Sequence, residues 1–178
     1  MIKKPLHLSK VYQLLEPGPV VMVTTVRDGV PNVMTMSWHM MVDFVPPIIA
    51  IVMGSEDYSF ESLKQTKECV INVPDVEMLQ QVVDVGNSTG AHIDKFKKFS
   101  LTALPAQKVV PPLVGECFAH IECKVIDTTF QNKYNIFILE GVQAWVSPRH
   151  KRLRMIHHCG YGVFAVDGKL VKTNSKKK

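Results

Sequence analysis

Two hydroxyls and a large aromatic stand together in Met34-Thr35-Met36-Ser37-Trp38-His39, where a strand should leave a sheet. Strand alternation puts Thr35 and Ser37 on one face and Met34, Met36 and Trp38 on the other. That composition suits a flat, phosphorylated, partly polar ligand, with donors and acceptors for its polar edge and apolar contact for its ring. Taken alone, the string also reads as core residues whose hydroxyls satisfy nearby backbone.

Three further segments carry related chemistry. Ser55-Glu56-Asp57-Tyr58-Ser59-Phe60-Glu61-Ser62 opens a helix after a strand, and helix N-termini offer unpaired N–H groups and a positive dipole end to phosphate. Its acids would repel a phosphate, so they must point away or pair with a cation; ordinary capping is the competing reading. Gly86-Asn87-Ser88-Thr89-Gly90 is small and polar, either a backbone nest for an anion or a simple loop. Asp94-Lys95-Phe96 follows, where Lys95 can supply positive charge and Asp94 can orient it.

Other features point away from chemistry. His157-His158-Cys159 looks like a metal cluster, but adjacent residues diverge on either a strand or a helix and cannot easily chelate one ion. Gly160-Tyr161-Gly162 reads as a turn, or as a means of placing an aromatic near a ligand or a second subunit. No Ser-His-Asp order, GxGxxG or Walker pattern occurs, which removes the hydrolase and common nucleotide-fold readings. Cys69, Cys117, Cys123 and Cys159 form no CxxC pair and sit mostly in apolar segments, where a thiol behaves as a small hydrophobe.

Strands are the elements that must position these residues. Val20 to Val26 and Val30 to Met36 flank Arg27-Asp28-Gly29, a hairpin signal, and a short helix should precede them. Val45-Pro46-Pro47 reads as a loop leading to a strand from Ile48 to Met53, and another strand spans about Cys69 to Val73. Between them Ser59 is expected to cap a short helix ending near Thr66. Asp75 should cap a second, with Met78, Leu79, Val82 and Val83 as its apolar stripe and Gly86 as its stop. Leu101 to Gly115 reads as irregular connection. Cys117 to Val125 alternates cleanly, with His120, Glu122 and Lys124 on the polar face of a half-buried strand. Tyr134 to Val146 is apolar on both faces, which suggests burial in a sheet or against a second subunit. Dominant strands, short helices and no run of βαβ units describe a mainly antiparallel barrel with peripheral helices.

At 178 residues and 46% hydrophobic, the chain suits one well-buried domain over 1–178, with a core of about 17–146. Its longest apolar runs fall far short of the ~20 residues that span a bilayer, and the first residues lack an apolar signal core, so a cytoplasmic location is expected. The formal charge of +5 is uneven: Arg149 to Lys178 holds nine Lys/Arg against one acid, a balance of +8, while the remainder holds twelve against fifteen, or −3. A basic end attracts anions, but Lys176-Lys177-Lys178 reads as a solvated tail.

In order and spacing, the segments at 34–39, 55–62, 70–74 and 94–96 resemble the flavin reductase-like family of FMN-binding split barrels, its flavoredoxin branch in particular, from about Pro17 to Trp145. The resemblance implies a mainly β fold, an antiparallel FMN-binding split β-barrel with short peripheral helices, and a homodimer with FMN near the subunit boundary. It assigns isoalloxazine and ribityl contacts to Thr35, Ser37, Trp38 and His39, with Asn32, Met34 and Met36 also among the cofactor-binding residues. Phosphate contacts fall to Ser55 and Ser59, with Lys95 near the phosphate or ribityl chain and Tyr58, Ser88 and Phe96 also among the cofactor-binding residues. No catalytic acid or base and no metal is implied, because the chemistry belongs to the cofactor. Three functions compete: an NAD(P)H-dependent reductase of flavin or another acceptor, an FMN electron carrier serving a small-molecule or protein partner, and a non-redox module binding nucleic acid through its basic end. The last explains only 149–178.

Overall fold

A computed structural model describes residues 18–147 and 154–171. The expected N-terminal helix and the Lys176–Lys178 tail lie outside the described residues.

The hairpin signal is met directly. Strand β1 (Val21–Arg27) and β2 (Val30–Met36) pair from Val21↔Met36 to Arg27↔Val30. Asp28 and Gly29 both take positive φ, 51° and 78°, the geometry of a two-residue turn that matches strand twist. A strand not read from the sequence, β3 (His39–Phe44), then pairs with β4 (Pro47–Val52). Val45 and Pro46 form the tight turn between them, across a cis peptide bond, so Val45-Pro46-Pro47 is a hairpin corner and Pro47 opens a strand.

Helix α1 (Tyr58–Thr66) ends where expected but starts from Asp57, which corrects the assignment of Ser59 as its cap. After β5 (Glu68–Val73), Asp75 accepts from the N–H of Glu77 and starts a 3-10 turn, Val76–Met78, that leads into α2 (Leu79–Gly86). The short helix α3 (Lys95–Lys98) follows. Residues 101–115 are largely irregular, apart from the brief pair β6 (Ala103–Leu104) and β7 (Leu113–Val114). The chain continues through β8 (Ala119–Asp127), the helical turn α4 (Gln131–Tyr134), β9 (Ile136–Val146), β10 (Ile156–His158) and β11 (Phe164–Val166). Among the described residues no helix is long and apolar enough to cross a membrane.

Seven strands form one antiparallel sheet in the order β2-β1-β5-β8-β9-β4-β3. Its two edge strands, β2 and β3, are consecutive in sequence and separated only by Ser37 and Trp38. The sheet must therefore curl until its edges approach, and one apolar core shows that it does. Val21, Met36, Ile49, Ile51, Ile71, Phe137 and Leu139, drawn from five strands, pack together with Phe60 and Leu63 of α1. This is a mainly β, antiparallel split barrel with short peripheral helices. A second core lies outside the wall, where Met22 and Val33 pack on Met78, Val82 and Val85, with Phe96 and Ile156.

The expected half-buried strand is corrected by burial. His120 and Glu122 of β8 are buried, Glu122 completely, because residues 107–108 and Trp145 cover that face. Glu122 accepts from the N–H groups of Gln107 and Lys108 and from the Trp145 indole at 2.7 Å. Cys69, Cys117 and Cys123 are buried free thiols and Cys159 is half-buried. The Cys123 side chain and burial push the Cys69 thiol well up, and burial does the same to Cys117, which suits structural roles.

Candidate functional site

Alternation along β2 sends Met34 and Met36 toward the barrel core and Thr35 outward, where its Oγ1 donates to the Val82 carbonyl of α2 at 2.6 Å. Around Thr35 three clefts meet at the seam between the barrel edges. A polar pocket of about 150 Å³ lies between the start of α1 and the end of α2, and is lined by Asn32, Tyr58, Ser59, Ser88, Gly90 and Lys95 among others. A groove of about 280 Å³ runs over Met34, Thr35 and Met36 to Ser37, Trp38 and Val52. An apolar cleft of about 300 Å³ continues between Val82 and Val83 on one side and His158 and Phe164 on the other.

The polar pocket is tightly built. Asn32 and Ser59 are both buried, and the Asn32 amide donates to Ser59 Oγ at 2.8 Å. Gly90 sits so close that a Cβ there would lie 2.1 Å from Asn32 Oδ1 and 3.0 Å from the Tyr58 ring. Only glycine lets the loop close over Asn32. Ser88 donates to the Asp84 carbonyl at 2.9 Å, continuing the last turn of α2.

Lys95 is 4% exposed, and its ammonium donates to the Val85 carbonyl at 3.0 Å. Burial lowers its pKa from 10.5 to about 8, against the pull of Asp57, which favours the charged form. Asp94 does not orient it, which corrects that expectation: the Asp94 carboxylate caps α3 by accepting from the N–H of Lys97 at 3.0 Å. Helix α1 itself provides no acceptor for the N–H groups of Tyr58 and Ser59 at its start. A buried cation with protons left to donate, two hydroxyls, a carboxamide and a helix start fit a phosphate. The neighbouring groove, with methionines, Trp38 and strand-end backbone, fits a flat ring.

Asn32, Met34, Thr35, Met36, Ser37, Trp38, Tyr58, Ser59, Ser88 and Lys95 are thus brought together on connected clefts. Three of the expected residues stand apart. Ser55 is exposed, with its hydroxyl 3.4 Å from Glu56 Oε2. The Phe96 ring belongs to the second core. His39 donates from Nε2 to the Pro19 carbonyl at 2.7 Å, tying edge strand β3 to the segment before β1. His158, Gly162 and Phe164 were missed by sequence reasoning. The Gly-Tyr-Gly turn was visible, but not that β10 and β11 fold back across α2. In that hairpin the His158 and Phe164 rings meet at a tilt of 47° with centroids 5.2 Å apart while His157 Nε2 pairs with Asp167 at 2.7 Å, so the two histidines serve different neighbours. Tyr161, at the turn tip, is exposed.

A curled antiparallel sheet with a phosphate-sized polar pocket opening into a ring-sized groove at its seam describes a split-barrel domain of flavoprotein type. Residues 14–162 match the model of the flavin reductase like domain family, and the chain belongs to that family. A protein of Archaeoglobus fulgidus described as uncharacterized is 30% identical over 148 residues, covering 83% of this chain and 84% of its own. The FMN-binding domain of a flavin reductases-like enzyme from Shewanella baltica superposes with a TM-score of 0.82 at 28% identity, over 95% of this chain and 96% of that one. Flavoredoxin of Desulfovibrio vulgaris (Miyazaki F) superposes with a TM-score of 0.87 over 99% of both chains; at 23% identity this likeness concerns the fold.

Proposed function

We propose that the protein is an FMN-binding oxidoreductase of flavin reductase or flavoredoxin type, acting in the cytoplasm and passing electrons from a reduced donor such as NAD(P)H to flavin or another acceptor. The observation that carries this is the buried Lys95 ammonium, set with Ser59 and Asn32 in a polar pocket that runs directly into the groove over Met34 and Trp38. Lys95, Ser59 and Ser88 would hold the phosphate, and the strand-end residues Thr35 to Trp38 would line the isoalloxazine. Bound flavin supplies hydride and single-electron chemistry. The chain binds and orients it, and leaves the His158–Phe164 cleft beside the groove for a second reactant.

A homodimer is part of the same reading, on a different surface from the one first expected. Strand β9 is paired along both edges by β8 and β4, and its Phe137 and Leu139 face the barrel core. Edge strand β3 instead exposes Met40, Met41, Val42 and Phe44, with Val45 at its turn. An exposed apolar edge of this kind favours a second copy.

The test is the colour and reactivity of purified protein. It should be yellow, release FMN, and bleach with NADH or NADPH. A colourless preparation that also fails to bind added FMN would sink the proposal. Yellow protein that neither nucleotide bleaches would favour the electron carrier.

A further inference from the structure

Asp57 holds the cap position of α1, yet its carboxylate makes no capping bond to the helix. It lines both the polar pocket and the adjoining groove. It turns back toward Gly54, and a Cβ built on Gly54 would stand 3.0 Å from Glu56 Oε1 and 3.1 Å from Asp57 Oδ2. Two carboxylates thus crowd one point on the wall of a pocket that also holds Lys95. We propose that Asp57 is the resident counter-anion of Lys95, and that it takes up a proton from solvent when a phosphate enters, so that FMN binding is linked to protonation of this one side chain.

This rests on reading the pocket as the phosphate end of a flavin site. Glu56 is exposed and stays hydrated, whereas Asp57 is half-buried. The charged and titratable groups around Asp57 are Glu56 beside it, Lys95 across the pocket and the Tyr58 phenol next in sequence. Burial already raises its pKa; the Gly54 N–H opposes that, Glu56 adds to it and Lys95 opposes it. An arriving phosphate places further negative charge in the same small space and engages Lys95, so both changes favour neutral Asp57. Lys95 alone would bind any flavin phosphate; Asp57 makes that binding conditional on a proton.

The test compares FMN with riboflavin, which lacks the phosphate, on wild type and Asp57→Asn at about pH 6.5, where a phosphate is mostly dianionic and Lys95 remains charged. Asparagine is as good a cap as aspartate, so α1 is kept, and Asp57→Ala serves as a second variant. Asp57→Asn should bind FMN about tenfold more tightly than wild type, with riboflavin changed less than about twofold. Calorimetry in two buffers of different ionisation heat should show wild type taking up more protons per FMN than the variant. Equal proton uptake, or equal FMN affinity, overturns the proposal and leaves flavin binding standing. Failure of wild type to bind either flavin overturns both.

Discussion

The hydroxyl of Thr35 donates to the Val82 carbonyl at 2.6 Å, and this bond joins the edge strand β2 to the helix that walls the opposite side of the site. Thr35 borders all three clefts, so this tie acts beside the apolar packing of Val82 and Val85 in holding their walls. Thr35→Val keeps the shape and removes the donor. It should lower stability by about 1 kcal/mol and weaken FMN and riboflavin alike, because both need the groove. Denaturant midpoints and flavin titration check this; an unchanged affinity would mean that α2 is held by packing alone.

Lys95→Met should weaken FMN by roughly 10–100-fold, the worth of a charge-assisted contact, while leaving riboflavin almost unchanged. Its pH behaviour has a definite sign. The folded pKa of about 8 lies below the ordinary 10.5, so the unfolded chain holds this proton more firmly than the folded one. Stability from this group therefore rises as pH climbs from about 8 to 10.5. In Lys95→Met that rise should vanish. FMN affinity of the wild type should fall above about pH 8 as the ammonium discharges, faster than that of riboflavin. Parallel pH profiles for the two flavins would contradict the assignment.

Gly90→Ala tests how closely the loop covers the polar pocket. The new methyl would meet Asn32 Oδ1 at 2.1 Å, and Asn32 is held by Ser59 inside the barrel wall. Either the loop or Asn32 must move. A cost of about 1–3 kcal/mol is expected from overpacking, with FMN affinity reduced. Gly29→Ala, where nothing lies within 4 Å but φ is +78°, separates the two effects: it should cost stability through strain and leave FMN binding intact.

Much of the architecture was legible because it depends on local signals. Asp28-Gly29 specified a hairpin, Asp75 a helix start, and the Met34/Met36 alternation an inward face. Strand β3 was hidden because Val45-Pro46-Pro47 reads as a loop, until the turn is seen to need only Val45 and Pro46. The polar pocket was legible in Ser59, Ser88 and Lys95, which share it through long-range contacts that the family pattern encodes. The partner of Lys95 was not: Asp94 is adjacent in sequence, but its carboxylate caps its own helix, and the carbonyl that accepts from the ammonium is that of Val85, on another helix. Burial of a charged residue by a distant loop leaves no periodic trace, and Glu122 shows it.

Glu122 reads from sequence as a solvent-facing position, yet three donors converge on it. Burial favours its neutral form, and the Trp145 indole and the backbone N–H groups from Gln107 onward outweigh that and hold its pKa below the usual 4.5. Glu122→Ala should cost about 1–3 kcal/mol for each donor left unsatisfied. A depressed folded pKa contributes stability above about pH 4.5 that disappears as pH falls through the folded value. Melting curves of wild type and Glu122→Gln should therefore converge toward acid pH. A constant difference between them would place the effect in packing.

Trp38 gives the most direct report on the site. It follows β2, the residue is 55% exposed, and it borders the groove over Met34 and Met36. If the isoalloxazine lies there, Trp38 fluorescence should be strongly quenched in the holo form and recover on FMN removal, and Trp38→Ala should weaken binding and shift the flavin absorbance. Trp145 is the only other tryptophan in the sequence, and Trp145→Phe leaves Trp38 as the sole reporter. That variant withdraws one donor from Glu122, which keeps the N–H groups of Gln107 and Lys108, so a loss of about 1–2 kcal/mol is expected and the fold should persist. Emission from Trp145→Phe that is the same with and without FMN would remove the ring from this groove and leave the His158–Phe164 cleft as its place.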